Sequence, residues 1–329
     1  MKIGLDALTI TLITKDPIEI LHKIVDYGLE GGQISSGALR EQSEAYLEEF
    51  MAYKRAHGLY LELTGSSINP GKTDRSVDEL VAGWEPLFPL AERLGADILN
   101  TCFGLFPLRM QASPSFDEQY ERTTKVLQRL APMAADHGVT ITVELHVDLT
   151  TRELERLIQT VDSPWVRVNL DTANPLGLLE DPIEAARVLA PYAVTTHYKD
   201  GCIHVTDEGY TWQAGAPLGT GLVDLKEVTR LLYREHPDVH LNYEDGWGSI
   251  GIPLWDEAFL ASFPELTAVD MMHFLRLLEK GNRVFEVMQH HPRPSSAKTM
   301  DGARMMEMRT RHSAAYLRTL REEIVAEEG

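Results

Sequence analysis

The chain has 329 residues, enough for two ordinary domains or for one α/β barrel of about 250 residues with additions. Its 50 acidic residues outnumber the 31 basic ones, and the formal charge of -19 would repel both a nucleic-acid backbone and an anionic membrane surface. This charge argues against nucleic-acid binding and against membrane association.

Cysteine usage and the amino terminus predict a cytoplasmic protein. Cys102 and Cys202 form neither a C-x-x-C pair nor a disulfide framework, which fits a reducing compartment. Asp6 interrupts the first apolar run and no small-residue cleavage site follows it, so we predict no signal peptide. No run approaches the roughly 18 apolar residues of a membrane span.

Strand-like and helix-like segments take turns along the chain. Helical patterns include 16–28, with Pro17 near the start and Gly28 past the end, and 116–138, which closes on Gly138. Eight short apolar or alternating runs predict strands at 2–9, 31–35, 59–64, 96–103, 140–146, 166–171, 194–199 and 240–244.

Strict alternation of strand and helix is typical of a parallel sheet surrounded by helices. Eight repeats are the number that closes a (β/α)₈ TIM barrel, so we predict this α/β fold. An open, doubly wound sheet is the alternative. It is less favoured because no G-x-G-x-x-G follows the first strand and no G-x-x-x-x-G-K-[ST] motif is present.

The chain continues well beyond the eighth predicted strand. Segments 265–289 and 302–328 have helical patterns and are separated by the connector HHPRPSSAK. We therefore predict a barrel domain over 1–264 and a C-terminal helical extension over 265–329. The apolar stripes of the extension are expected to pack on the barrel or on a partner subunit.

The last four predicted strands carry polar side chains on one face, because positions i, i+2 and i+4 of a strand point the same way. Parallel strands are usually apolar on both faces, so these polar faces must look into the barrel, where a charge needs a partner. The four faces are Thr142, Glu144 and His146; Arg167, Asn169 and Asp171; Thr195, His197 and Lys199; and His240, Asn242 and Glu244.

Four of these residues predict a site for one divalent metal. Glu144, Asp171, His197 and Glu244 lie near the carboxyl ends of their strands, where TIM-barrel enzymes keep their chemistry. Three carboxylates and one imidazole suit Mn²⁺ best, with Mg²⁺, Co²⁺ or Fe²⁺ as alternatives. Each residue alone is explained as well by a helix cap, an ion pair or a satisfied core histidine. Their occurrence on four consecutive strands favours the metal.

Five motifs occur in a fixed order along the second half of the predicted barrel. They are VELH at 143–146, NLDTAN at 169–174, HYKDG at 197–201, PLGTGLVDL at 217–225 and NYEDG at 242–246. On these motifs, roughly the first 260 residues resemble the xylose-isomerase-like superfamily of sugar phosphate isomerases and epimerases. The resemblance implies that Glu144, Asp171, His197 and Glu244 hold one metal.

Two positions depart from the epimerases of this superfamily. Asn174 stands where many members have a histidine, and Ile203 stands where many ketose 3-epimerases have an arginine. His146 and the C-terminal extension are instead similar to the large, catalytic subunit of bacterial C-glycoside deglycosylating enzymes. This narrower likeness implies a lyase that associates with a small beta subunit. The alternative is a keto-sugar epimerase or isomerase that forms homo-oligomers.

The predicted chemistry is removal of a proton next to a keto-sugar carbonyl, through a metal-stabilised enediolate. Reprotonation gives an epimer, whereas expulsion of a group at the next carbon cleaves a 3-oxo-C-glycoside by β-elimination. The candidate bases are His146, Glu144 and Glu244, and the other explanation for His146 is a hydrogen bond to a loop.

Residues outside the metal set supply the predicted substrate contacts. Segment 200–224 is long for a βα loop, and its aromatic residues either stack on a flat substrate or close the loop's own small core. The predicted contacts are Asn174, Lys199, Trp212, Tyr210 and Phe103. A DNA-repair endonuclease on this fold is opposed by the charge, and a non-catalytic barrel would not need four filled ligand positions.

Overall fold

The computed structural model describes residues 1–245, 248–289 and 300–329. The strands are β1 (Lys2–Asp6), β2 (Gly31–Ile34), β3 (Tyr60–Thr64), β4 (Ile98–Cys102), β5 (Thr140–Glu144), β6 (Val166–Asp171), β7 (Ala193–Tyr198), β8 (Asp200–Thr206), β9 (Gly209–Ala216), β10 (His240–Tyr243) and β11 (Ser249–Ile252). The helices are α1 (Pro17–Asp26), α2 (Ser36–Arg40), α3 (Glu44–Ala56), α4 (Pro70–Thr73), α5 (Val77–Trp84), α6 (Leu87–Leu94), α7 (Phe116–His137), α8 (Thr151–Val161), α9 (Pro182–Leu189), α10 (Leu225–Glu235), α11 (Glu257–Ala261), α12 (Ala268–Gln289) and α13 (Met300–Glu328).

Eight of the strands form a closed barrel. Strands β1 to β7 follow one another round the barrel, and β10 lies between β7 and β1. Every pairing in the barrel is parallel. Each predicted strand overlaps one of these eight, and the predicted (β/α)₈ TIM barrel is confirmed.

Alternation along each strand separates an apolar outer face from a polar inner face. In β5, Ile141 and Val143 are fully buried in the main hydrophobic core. The intervening Thr142 donates a 2.8 Å hydrogen bond to Asn100 Oδ1, on the neighbouring strand β4. This pair of polar inner side chains lies nearer the amino ends of the strands, below the predicted metal ligands.

Local sequence signals fix the helix ends that lead into these strands. Helix α7 starts with a capping box between Ser115 and Glu118, in which each side chain bonds the other's backbone N–H. Gly138 caps its end with a φ of 63°, a left-handed conformation that favours glycine. Strand β5, which carries Glu144, starts two residues later, so this turn helps to set its position.

The segment predicted as a long loop over 200–224 is largely a β-hairpin, so this prediction was wrong. Strands β8 and β9 pair antiparallel around a turn at Asp207 and Glu208, and β11 pairs with β9 as a third strand. The connection contains strands of its own because it has alternating side chains and a tight turn. Trp212 of β9 lies opposite Ile250 of β11, so both side chains lie on one face of this small sheet.

The two C-terminal helices cover different parts of the molecule. Helix α12 packs on β8, whereas α13 packs on β1, β10 and α10. The predicted extension therefore packs on the barrel, and its contact with a partner subunit stays a prediction. The connector predicted at 290–298 lies outside the described residues. None of the described helices combines the length and the apolar character needed to cross a bilayer.

A buried ion pair joins α13 to the end of β10. Arg309 Nε lies 2.6 Å from Asp245 Oδ2, and Arg309 Nη2 lies 2.7 Å from Asp245 Oδ1. Both side chains are buried. Arg309 also donates a 3.0 Å hydrogen bond to the carbonyl oxygen of Gly215, at the end of β9. Because Asp245 follows Glu244 directly, this ion pair fixes the backbone beside a predicted metal ligand.

Replacing Arg309 with Met should leave the Asp245 carboxylate buried without its partner. We expect the free energy of unfolding to fall by about 3–5 kcal/mol, measured by urea denaturation. The double variant R309M/D245N should recover most of this loss. Replacing the exposed Arg311, which pairs with Asp26 and Glu307, is the matched control and should cost less than about 1 kcal/mol. A loss in R309M no larger than in R311M would contradict the assignment.

Candidate metal centre and active site

The four predicted metal ligands meet at the carboxyl end of the barrel. Glu144 and Asp171 are the last residues of β5 and β6, His197 is near the end of β7, and Glu244 follows β10. Each offers one ligand atom, and these atoms lie within 4.8 Å of one another. All four side chains are buried, so the barrel brings together the set that the sequence predicted.

The atoms that face each other in this cluster suit a divalent cation. His197 Nδ1 lies 3.2 Å from Glu144 Oε1 and 2.8 Å from Glu244 Oε2. Within the described part of the chain, His197 Nδ1, Glu244 Oε2 and Asp171 Oδ2 are buried and make no hydrogen bond, and their close neighbours are one another and the Lys199 ammonium group. Buried polar atoms of this kind need a partner, and a cation with oxygen and imidazole ligands would supply one.

Backbone groups hold the Asp171 carboxylate in place. Its Oδ1 accepts hydrogen bonds from the N–H groups of Ala173 and Asn174, at 2.8 and 2.9 Å. The Asn174 amide donates to the carbonyl oxygen of Leu145 at 3.1 Å and to Glu144 Oε1 at 3.4 Å. Asn174 therefore links two ligands from behind as well as lining the cavity at the barrel mouth.

Asp6 is a functional candidate that the sequence prediction missed. Its Oδ2 lies 3.3 Å from His197 Nε2, the ring nitrogen that faces away from the other ligands. Gln33 Nε2 donates to the same oxygen at 2.8 Å. A carboxylate behind a metal-binding histidine fixes the ring and raises its basicity. The sequence feature that could have identified Asp6 is its position as an acidic residue at the end of the first strand.

Charges inside the cluster act strongly on one another. Burial acts to lower the pKa of His197, but the carboxylates of Glu144 and Glu244 outweigh it and hold that pKa well above its usual value. Burial acts to raise the pKa of Glu244, but Lys199 and His197 outweigh it and hold it at about 2. A cation would therefore compete with a proton for His197 Nδ1.

Lys199, another predicted substrate contact, touches two metal ligands through its ammonium group. Its Nζ lies 2.7 Å from Asp171 Oδ2 and 3.1 Å from Glu244 Oε2. Burial acts to lower the pKa of Lys199, but these two carboxylates and Glu144 raise it above its ordinary value. A charged ammonium group therefore lies beside two of the ligands and lines the second cavity.

His146 lies at the rim of the cluster, one pleat beyond Glu144. Its Nδ1 is 2.7 Å from the carbonyl oxygen of Gly104, a contact that requires an N–H at Nδ1. In the neutral imidazole the lone pair is then on Nε2. The hydrogen bond to a loop and the role of candidate base are thus compatible, since they use different ring nitrogens.

Two adjoining cavities open above the cluster, with volumes of about 620 and 510 Å³. They share Leu8, Thr11, His146 and Glu244. The first extends across the ends of β1 to β4. The second is lined by Asn174, Lys199 and Trp212, so three of the predicted substrate contacts reach the mouth.

Phe103 and Tyr210, the other two predicted contacts, do not line either cavity. Both are fully buried. The Phe103 ring centroid is 5.8 Å from that of Phe116, and the Tyr210 hydroxyl donates to the carbonyl oxygen of Leu176 at 2.9 Å. An aromatic residue near a strand end can point into the core or into the barrel mouth, and the sequence pattern does not distinguish these two orientations.

The glycine-rich motif PLGTGLVDL folds around a buried carboxylate. Asp200 Oδ2 accepts hydrogen bonds from the N–H groups of Gly219 and Gly221, at 3.1 and 2.8 Å, and Oδ1 accepts one from Val223 at 3.2 Å. A Cβ at Gly221 would lie 2.0 Å from Asp200 Oδ1, so only glycine fits there. This loop anchors the residue that follows Lys199.

Two solved structures have the same fold at low sequence identity. D-psicose 3-epimerase from Clostridium cellulolyticum H10, solved with D-tagatose, has a TM-score of 0.67 and 15% identity, covering 97% of this chain and 99% of that chain. A xylose isomerase-like TIM barrel protein from Mycobacterium smegmatis, solved with magnesium, has a TM-score of 0.58 and 18% identity, covering 80% of this chain and 88% of that chain.

Sequence comparison gives a shorter match to a named enzyme and a long match to a family. The chain is 29% identical over 101 residues to 3-oxo-isoapionate decarboxylase of Pectobacterium atrosepticum, a stretch that is 30% of this chain and 36% of that protein. Curated relatives are thus matched over less than two thirds of their own length. The family model described as xylose isomerase-like TIM barrel matches residues 21–260, most of the barrel. The chain therefore belongs to the xylose isomerase-like TIM barrel family.

Proposed function

We propose that this protein is a divalent-metal-dependent enzyme that moves a proton on the carbon next to the carbonyl of a keto-sugar, as an epimerase or isomerase. The observation that carries the proposal is the convergence of three carboxylates and one imidazole at the floor of an open cavity. The fold shared with D-psicose 3-epimerase supports the same reaction class. The family assignment supports it further.

We propose Mn²⁺ as the cation, with Mg²⁺ or Co²⁺ as alternatives. Three oxygen ligands and one imidazole suit these ions, and magnesium is bound by the family protein of Mycobacterium smegmatis. Glu144, Asp171, His197 and Glu244 would hold the ion. When bound, it supplies polarisation of the substrate carbonyl and stabilises the negative charge that develops on oxygen.

Two glutamates can exchange protons with the reacting carbon. Epimerisation needs a proton to leave one face of that carbon and another to arrive on the opposite face. Glu144 ends β5 and Glu244 follows β10, and two strands of the barrel, β6 and β7, separate them. Burial acts to raise both pKa values, but His197 and Lys199 outweigh it and hold both below the ordinary range. Both carboxylates are therefore ionised, as a proton acceptor must be.

Lys199 and His146 complete the proposed machinery. The Lys199 ammonium is fixed between two carboxylates and reaches the second cavity, where it can donate to a substrate oxygen that gains charge. His146 lines the same cavity, and because its Nδ1 bonds Gly104, the neutral form of the ring carries its lone pair on Nε2. It is the third candidate base.

Cation binding tests the donor set directly. Replacing Asp171 with Asn should lower the affinity for Mn²⁺ at least tenfold in isothermal titration calorimetry, because one ligand loses its charge. Asp78, an exposed carboxylate on α5, is the control, and D78N should bind Mn²⁺ like the unmodified protein. Equal affinities of D171N and D78N would contradict the proposed centre.

Proton exchange tests the reaction. Incubation of the Mn²⁺-loaded enzyme with D-fructose, D-tagatose or D-fructose 6-phosphate in D₂O should introduce deuterium next to the carbonyl, and proton NMR would measure this exchange.

Loss of the general base should slow exchange by about 10²–10⁴-fold. E144Q and E244Q also alter the metal ligands, so their metal content is measured alongside. H146N keeps all four ligands, and slowed exchange with unchanged metal content would identify His146 as the base. Absence of exchange with every keto-sugar would count against the proposal.

A second candidate is β-elimination from a 3-oxo-C-glycoside. The observation that favours it is the second cavity, whose walls include the apolar side chains of Leu12, Leu105, Val147, Trp212 and Ile250 close to His146. Such a cleft would accommodate a flat aromatic aglycone while the sugar reaches the ligands. Incubation with a 3-oxo-C-glucoside separates the candidates, because only elimination releases free aglycone. This candidate also predicts co-purification with a smaller subunit, which mass spectrometry of the native protein would detect.

A further inference from the structure

The first cavity is asymmetric in charge. The carboxylates among its lining residues, Asp6, Glu144 and Glu244, all lie at the metal-ligand end. The other end, over β2 to β4, is lined by Lys72 and by hydroxyl-bearing residues, and Lys15 also lines the cavity. In a chain with 50 acidic and 31 basic residues, a cavity wall with lysines and no acid is unusual. Such a wall attracts negative charge.

Lys72 is the lysine of this wall that lies beside strand β4. It lies in α4, directly after β3, and its Nζ is 3.8 Å from Cys102 Sγ. Among the residues that the structure describes, no carboxylate lies within ion-pair distance of this Nζ. By contrast, Lys125 and Lys226 pair with glutamates at 2.6 and 2.7 Å. An ammonium group that lines a cavity without an internal counter-ion is ready to bind an external anion.

The separation between Lys72 and the metal ligands fits a small sugar. Cys102 is the register partner of Glu144 on the neighbouring strand. Adjacent strands are about 4.8 Å apart, so the Cys102 position beside Lys72 is offset from Glu144 by roughly one strand spacing, which a small sugar can span. A keto-sugar of five or six carbons with its carbonyl at the ligands would bring its far end to this lysine.

We propose that the substrate carries an anionic group, a phosphate or a carboxylate, at the end remote from the reacting carbonyl, and that Lys72 binds this group. Ser66 and Ser67 line the same wall, and Lys15 adds a second positive charge at the rim. The inference rests on the proposed function, because it takes the metal ligands as the reacting end.

The test compares matched ligands on the Mn²⁺-loaded protein by isothermal titration calorimetry. D-fructose 6-phosphate and 5-keto-D-gluconate each carry an anion remote from the ketone, whereas D-fructose is neutral. We expect at least one charged ligand to bind more tightly than D-fructose, and the two charged arms distinguish phosphate from carboxylate. K72M should weaken the preferred charged ligand by about 10- to 100-fold and leave D-fructose unchanged, since a charge-assisted hydrogen bond is lost. K72R should recover part of the affinity.

Lys125 provides the control, because it is exposed on α7 and pairs with Glu121 away from the cavity. K125M should bind every ligand like the unmodified protein, and circular dichroism checks that K72M is folded. Equal binding of neutral and charged ligands, or unchanged affinity of K72M for the preferred charged ligand, would overturn the inference. Either result with intact Mn²⁺ binding leaves the proposed metal centre standing. Failure to bind Mn²⁺ contradicts the proposed function instead.

Discussion

The central constraint on this structure is a cluster of charged side chains buried at the carboxyl ends of the parallel barrel strands. Glu144, Asp171, Glu244 and the imidazole of His197 are buried together, and a buried charge is costly unless it is paired. Lys199 compensates two of the carboxylates from within the cluster. His197 Nδ1 lies 2.8 Å from Glu244 Oε2 and 3.2 Å from Glu144 Oε1, so the ligand atoms face one another. Burying several carboxylates together costs free energy, and binding a cation among them would reduce that cost.

The surrounding structure keeps these charges in position. Asp6 stands behind His197, backbone N–H groups hold Asp171, and the Arg309–Asp245 ion pair ties the end of β10 to α13. These supports come from opposite ends of the chain, so the cluster needs the whole barrel and its C-terminal helix. The cavity above is acidic at the ligand end, basic beyond β3 and apolar near Trp212. This distribution of charge favours substrates with a polar reacting end.

Much of the fold follows from patterns that act locally. Alternation of period two locates all eight barrel strands, and the polar face of the last four predicts the candidate metal ligands. Two parts of the prediction failed for different reasons: one local signal was missed, and one outcome depends on tertiary packing. The hairpin over β8 and β9 differs from the predicted loop, although its alternation and its turn at Asp207 and Glu208 are local signals. Phe103 and Tyr210 are core residues rather than substrate contacts, because an aromatic residue at a strand end has the same local pattern whether it faces the core or the mouth.

The sequence by itself determined the strand order, the four candidate ligand positions and the acidity of the molecule, because these depend on periodicity and composition alone. Only the tertiary structure decided which residues stand behind the ligands. Asp6 meets His197 because β1 closes the barrel beside β10, and Arg309 meets Asp245 because α13 covers that closure. Both contacts join residues that are distant in the sequence. They depend on the pairing of β1 with β10 and on the packing of α13 over these strands, which local sequence patterns do not specify.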